Sequence, residues 1–185
     1  MADPKDFTLF SGGANGAEAY FGEMAEQYGV LEVNYSFEGH KTVRTRGLRD
    51  LTPEELARKD VSLTYVSKLL NRKFTNAPFM RRVLQTIMYQ VDSALEIFVV
   101  GAIQEDGTVK GGTGWGAEFA KICNKPLFVF DQAKNAWYTW DDNLGAWVIT
   151  TAPAMTQYHF CGTGTRFLEE NGRRAIANLF TLSFG

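Results

Sequence analysis

Three short stretches set glycines beside hydroxyl, amide and charged residues. They are Ser11-Gly12-Gly13-Ala14-Asn15-Gly16 with Glu18 just beyond, Lys110-Gly111-Gly112-Thr113-Gly114-Trp115-Gly116 with Glu118 just beyond, and Cys161-Gly162-Thr163-Gly164-Thr165-Arg166. Glycine reaches positive φ and lets the backbone approach a ligand closely. If a helix follows such a loop, its free N–H groups and the positive end of its dipole attract an anion. The chemistry to expect is capture of phosphate, as a nucleotide or another phosphorylated small molecule. One glycine loop is equally an ordinary turn; the recurrence carries the expectation. The candidate binding set is Ser11, Gly12, Gly13, Asn15, Gly16 and Glu18 from the first stretch, Gly111, Gly112, Thr113 and Gly114 from the second, and Gly162, Gly164, Thr165 and Arg166 from the third, joined by Arg82.

Two carboxylates and several arginines extend this reading. On a helical wheel of about 100° per residue, Glu118 lies on the flank of the apolar stripe made by Trp115, Phe119, Ile122 and Cys123. Its carboxylate either bonds the first-turn amides or projects into a crevice, as general acid/base or as acceptor for a ribose hydroxyl. Glu118 is thus the candidate catalytic residue, and Glu18 stands in the same relation to the first loop. Guanidinium groups grip phosphate bidentately and stay charged, which singles out Arg166 and Arg82, next to Arg81. Arg44, Arg46 and Arg49, crowded with His40 and Lys41, are either a further anion site or a solvated, mobile segment.

Positioning three such loops together requires strands that alternate with helices. Short β-rich runs at 7–10, 30–37, 94–101, 126–130 and 157–161 alternate with helical patterns at 17–28, 78–91, 114–123 and 167–180, the pattern of a parallel sheet covered by helices. Thr52-Pro53-Glu54-Glu55 reads as a capped helix start, with a helix running to about Asn71. All strands of a parallel sheet end on one side, so the loops gather along one edge. The expectation is a single α/β domain over 1–185, Rossmann-like and three-layered. An aromatic hairpin at 137–149 is inserted in it, which covers a site, makes a subunit contact, or merely extends the core.

Totals narrow the function classes. The chain has 185 residues, 45% of them hydrophobic, and 19 basic against 21 acidic residues for a net charge of -2. No global positive field recruits nucleic acid or an anionic membrane. No signal peptide and no long apolar span is evident, so a cytoplasmic protein is expected. Cys123 and Cys161 lack CxxC spacing and read as reduced core thiols, and with His40 and His159 they give little material for a metal site. No metal or obligatory cofactor is expected, only a nucleotide-type ligand.

Gly111-Gly112-Thr113-Gly114-Trp115-Gly116-Ala117-Glu118 resembles the PGGxGTxxE hallmark of LOG-type phosphoribohydrolases, and Arg82 or Arg81 resembles the arginine on that family's preceding helix. Ser11-Gly12-Gly13-Ala14-Asn15-Gly16-Ala17-Glu18 is similar to the SGGAxGAD segment of YpsA-like proteins, with glutamate for aspartate. Phe160 to Arg166 looks like the GSR-like strand-loop that ordinarily comes first and here comes last. The chain therefore resembles the SLOG superfamily, in particular its circularly permuted YpsA branch, which includes proteins described as molybdenum-cofactor carriers. The resemblance implies a Rossmann-like fold binding a nucleotide or its derivative, as sensor, carrier or sequestering protein in a homo-oligomer. It implies as alternatives a phosphoribohydrolase acting through Glu118, or a molybdenum-cofactor carrier. Lys110 and Trp115 depart from the proline and threonine of the LOG enzymes.

Overall fold

The computed structural model describes residues 2–185. Eight strands form one sheet: β1 (Thr8–Ser11), β2 (Leu31–Ser36), β3 (Leu48–Asp50), β4 (Glu96–Gly101), β5 (Leu127–Asp131), β6 (Ala136–Asp141), β7 (Ala146–Thr150) and β8 (His159–Gly164). Their spatial order is β3-β2-β1-β8-β4-β5-β6-β7. The pairings from β3 across to β5 are parallel, and β6 and β7 add antiparallel strands at the end. The helices are α1 (Ala17–Tyr28), α2 (Pro53–Ala57), α3 (Asp60–Leu70), α4 (Pro78–Ser93), α5 (Gly112–Ile122) and α6 (Glu170–Phe184).

Alternation along β4 builds the three layers. Phe98 and Val100 face α1 and α6, in a core with Phe21, Phe160 and Leu179, while Ile97 and Val99 face α3, α4 and α5, in a core with Leu63, Met88 and Phe119. The expected α/β Rossmann-like arrangement is present. Because β1, β4 and β8 run parallel, the chain leaves all three at the same edge, and α1, α5 and α6 start there. The helix α4 enters β4 through Ala94 and Leu95, so it runs antiparallel to that strand and its N-terminus rises to the same edge.

Four local readings need correction. The helix expected from Thr52 to Asn71 is two helices. A capping box between Thr52 and Glu55 starts α2, but Leu56 packs with Tyr35, Phe37 and Leu51, whereas Leu63, Val66 and Leu70 pack with α4 and α5. One straight helix cannot serve both surfaces, and the chain breaks between Ala57 and Asp60. The basic segment before it contains β3, whose residues are all exposed and give no apolar signal. Gly162 to Gly164, read as a loop, belong to β8, because they pair with Phe98 to Val100 of β4. The C-terminal helix begins at Glu170 rather than 167. Of the readings of the 137–149 hairpin, the structure displays sheet extension: β6 pairs with β5 and Trp137 joins the core.

Candidate functional site

At the strand-end edge the first and third stretches are locked together. Gly16 adopts φ 98°, and a side chain there would run into the backbone of Thr165 and Arg166. The Ala17 N–H donates to the Thr165 carbonyl at 2.9 Å, and the Thr165 N–H donates to Val100 on β4 at 2.8 Å. Ser11 is fully buried, its hydroxyl donating to the Gly162 carbonyl at 2.6 Å, so it ties β1 to β8. Gly162 accommodates the Phe21 ring, and Asn15 accepts from the Gly16 N–H at 3.0 Å.

Gly12 is explained by side chains. A Cβ there would lie 2.6 Å from the Gln90 amide nitrogen and 2.8 Å from a Glu18 carboxyl oxygen. Glu18 projects from the first turn of α1 to this point, 8% exposed. It accepts from the Thr163 hydroxyl at 3.0 Å and the Ala14 N–H at 3.4 Å, and it is hydrogen-bonded to Gln90. No cation is among these partners, and burial pushes its pKa up against the opposing pull of the hydrogen bonds. The Gln90 carbonyl oxygen is buried without a partner among the described residues.

Gln90, Thr86 and Arg82 are four residues apart along α4 and share one side of the helix. The stripe leads from the buried Gln90 and Thr86 to the exposed Arg82 at the strand-end edge, where Arg82 has no ionic partner among the described residues. Arg166 is also exposed, lying 5.1 Å above the Phe167 ring. Arg81 is committed elsewhere, bonding Asp60 at 2.9 Å.

The second stretch is organised differently. Gly111 precedes α5 with φ 74°, and Gly112 and Gly116 face Leu84, Ile87 and Val91 of α4, so these glycines bring two helices close. Gly114 packs against the Val109 carbonyl, and Thr113 sits beside Gly101 at the end of β4. Arg72, which sequence patterns do not single out, organises the loop. It donates to the carbonyls of Gly111 and Val109 at 2.9 Å each, to Gln104 at 3.0 Å and to Thr108 at 3.2 Å. An open cavity of about 340 Å³ lies here, lined by Arg72, Lys73, Gln104, Gly111 and Trp115. A second cavity, about 570 Å³, lies between α6 and the hairpin.

Glu118 is linked to the hairpin through Lys121. Its carboxylate pairs with Lys121 at 3.2 Å, and the Lys121 ammonium lies 3.7 Å from the centre of the Trp140 ring and 5.0 Å from that of Trp147. The basic segment is likewise satisfied internally. Arg44 bonds Glu32 at 2.9 Å and Glu26 at 2.6 Å, Arg46 reaches Glu32 at 3.3 Å, and Arg49 reaches Glu55 at 3.1 Å. Val43 and Arg44 donate their N–H groups to Gly13, pinning this segment to the first loop. His40 bonds Ser36 and stacks on Phe37, and burial lowers its pKa. Among the described residues no grouping of His, Cys, Asp and Glu suits a metal ion, and no helix is long and apolar enough to cross a membrane.

Neither a protein-family model nor a curated protein matches the chain. A solved structure, provisionally described as a molybdenum carrier protein from Syntrophus aciditrophicus, aligns with a TM-score of 0.55 over 96% of this chain and 94% of its own, at 13% sequence identity. The chain therefore has the α/β fold of that protein, with the first and third glycine stretches joined at one sheet edge.

Proposed function

We propose that this protein binds a nucleotide or nucleotide-derived phosphorylated small molecule at the strand-end edge, as a sensor, carrier or sequestering protein. The observation that carries the reading is the junction of the first and third stretches, where Glu18 is buried without a cation while Arg82 and Arg166 stand exposed at the same edge. The two guanidinium groups supply the phosphate contacts. The provisional description of the structural neighbour as a molybdenum carrier supports a carrying role and adds molybdate to the ligands worth testing. Binding is favoured over hydrolysis of an N-glycosidic bond because the Glu118 carboxylate already has Lys121 as its partner.

Titration calorimetry with nucleoside monophosphates, cyclic nucleotides, ADP-ribose and molybdate tests the reading. Saturable binding of one class is expected. Arg166→Ala or Arg82→Ala should weaken it roughly tenfold or more, the worth of one charge-assisted hydrogen bond. Silence across the panel overturns the proposal. Chromatographic detection of free base, abolished by Glu118→Gln, would instead establish turnover.

A further inference from the structure

The outer edge of β7 lacks the devices that ordinarily protect an edge strand. β7 pairs with β6 on one side only, and it ends the sheet. Native edges are blunted by charge, proline, bulges or brevity. Ala146–Thr150 contains none of these residue types, and from Asn143 to Thr165 there is no Asp, Glu, Lys or Arg. Ile149 is 65% exposed, and Leu144 in the adjoining turn is 70% exposed. The opposite edge is protected. There β3 has only three residues, two of them the exposed and charged Arg49 and Asp50.

We propose that β7 is the contact surface for a second copy of this chain, the two β7 strands pairing antiparallel about a two-fold axis to continue the sheet across both subunits. The sequence of the strand favours this occupant over an arbitrary peptide. Centring the pair on Val148 sets Val148 opposite Val148 of the partner subunit and Trp147 opposite Ile149 of the partner subunit, twice. Aromatic and β-branched cross-strand pairs of this kind are the stabilising ones. Ala146 falls opposite Thr150 of the partner subunit, and no like charges meet. Trp147 already stands against Trp140, ring centres 5.3 Å apart, so the pairing lengthens an existing aromatic row. The contact is isologous and closes on itself, while the charged, short β3 edge cannot accept β7 head to tail and build a filament.

Light scattering on the full chain tests the proposal, with twice the 20.7 kDa chain mass expected. Val148→Lys sets two like charges directly opposite each other across the strand pair and should give a monomer with an unchanged far-ultraviolet spectrum. Should that variant misfold, Val148→Cys combined with Cys123→Ser decides, because thiols directly opposite in an antiparallel pair lie within disulfide range. A cross-linked dimer on mild oxidation is the expected result. A wild-type chain that stays monomeric at every concentration overturns the proposal, as does a dimer that survives Val148→Lys and gives no cross-link.

Discussion

The carboxyl of Glu18 on α1 lies 3.0 Å from the hydroxyl of Thr163 on β8, and burial shifts its pKa upward. This sets the sign of a pH effect. A carboxyl whose folded pKa is above its unfolded value binds its proton more tightly in the folded chain, so its contribution to stability is complete below the unfolded pKa and is lost as pH rises through the folded one. Glu18→Gln keeps the shape and removes the ionisation. The variant is expected to melt above the native protein at neutral and alkaline pH, with the difference shrinking as pH falls toward the ordinary glutamate range. Glu96, also shifted up by burial, imposes the same slope on both proteins and cancels in the comparison. Melting curves across pH check this; a variant that melts below the native protein at alkaline pH contradicts it.

Glycine replacement separates conformational strain from collision. Gly29 ends α1 with φ 78°, and nothing lies within 4 Å of the place an added methyl would take, so Gly29→Ala should cost about 1 to 2 kcal/mol from the left-handed backbone alone. Gly16 has φ 98° and in addition abuts the backbone of Arg166. Gly16→Ala should cost at least about 1 to 3 kcal/mol more, because backbone cannot swing aside as a side chain does. Urea denaturation of the two variants gives the ordering, and equal losses would mean that the first and third stretches are not locked to each other.

The alternation of strands and helices is legible in the sequence, because valine, isoleucine and phenylalanine runs such as Ile97 to Val100 are buried on both faces and leave no ambiguity. The glycines are visible too, but their separate purposes are not. Gly12 makes room for Glu18 and Gln90, Gly116 for Ile87, and Gly162 for Phe21, and most of these neighbours come from a distant part of the chain. Arg72 escapes sequence reasoning for the same reason, since its acceptors lie more than thirty residues away. Arg44 and Arg46 look free in the sequence because Glu32 stands on a strand whose register with the following segment no local pattern encodes.

Lys121 joins three elements, since its ammonium group meets Glu118, the Gly107 carbonyl at 3.3 Å and the Trp140 ring. Lys121→Met keeps the stem and removes the charge. It should destabilise by about 2 to 4 kcal/mol, the sum of a cation–π contact and a charge-assisted hydrogen bond, and alter tryptophan emission. Glu118→Gln removes only the ion pair and should cost less, about 0.3 to 1 kcal/mol. Denaturation followed by fluorescence distinguishes them, and a larger loss for Glu118→Gln would give that carboxylate a role beyond holding the hairpin.

Arg72 spans acceptors that no other side chain could serve together, reaching Gly111 through one terminal nitrogen and Gln104, Thr108 and Val109 through the other. A lysine at this position carries the same charge but only a single nitrogen, which cannot face both directions. Arg72→Lys should therefore cost roughly 2 kcal/mol, the loss of one or two charge-assisted hydrogen bonds with carbonyl acceptors left to find water. The effect should be local as well as global. With the Gly111 and Val109 carbonyls released, the 102–111 connection opens more often, and its amides should exchange hydrogen faster than those of β4 beside it. Hydrogen exchange measured by mass spectrometry on peptides covering 96–101 and 102–111 reads both segments in one experiment. Equal acceleration of the two would assign Arg72 a general part in stability, and acceleration confined to 102–111 would assign it the positioning of the loop that opens α5.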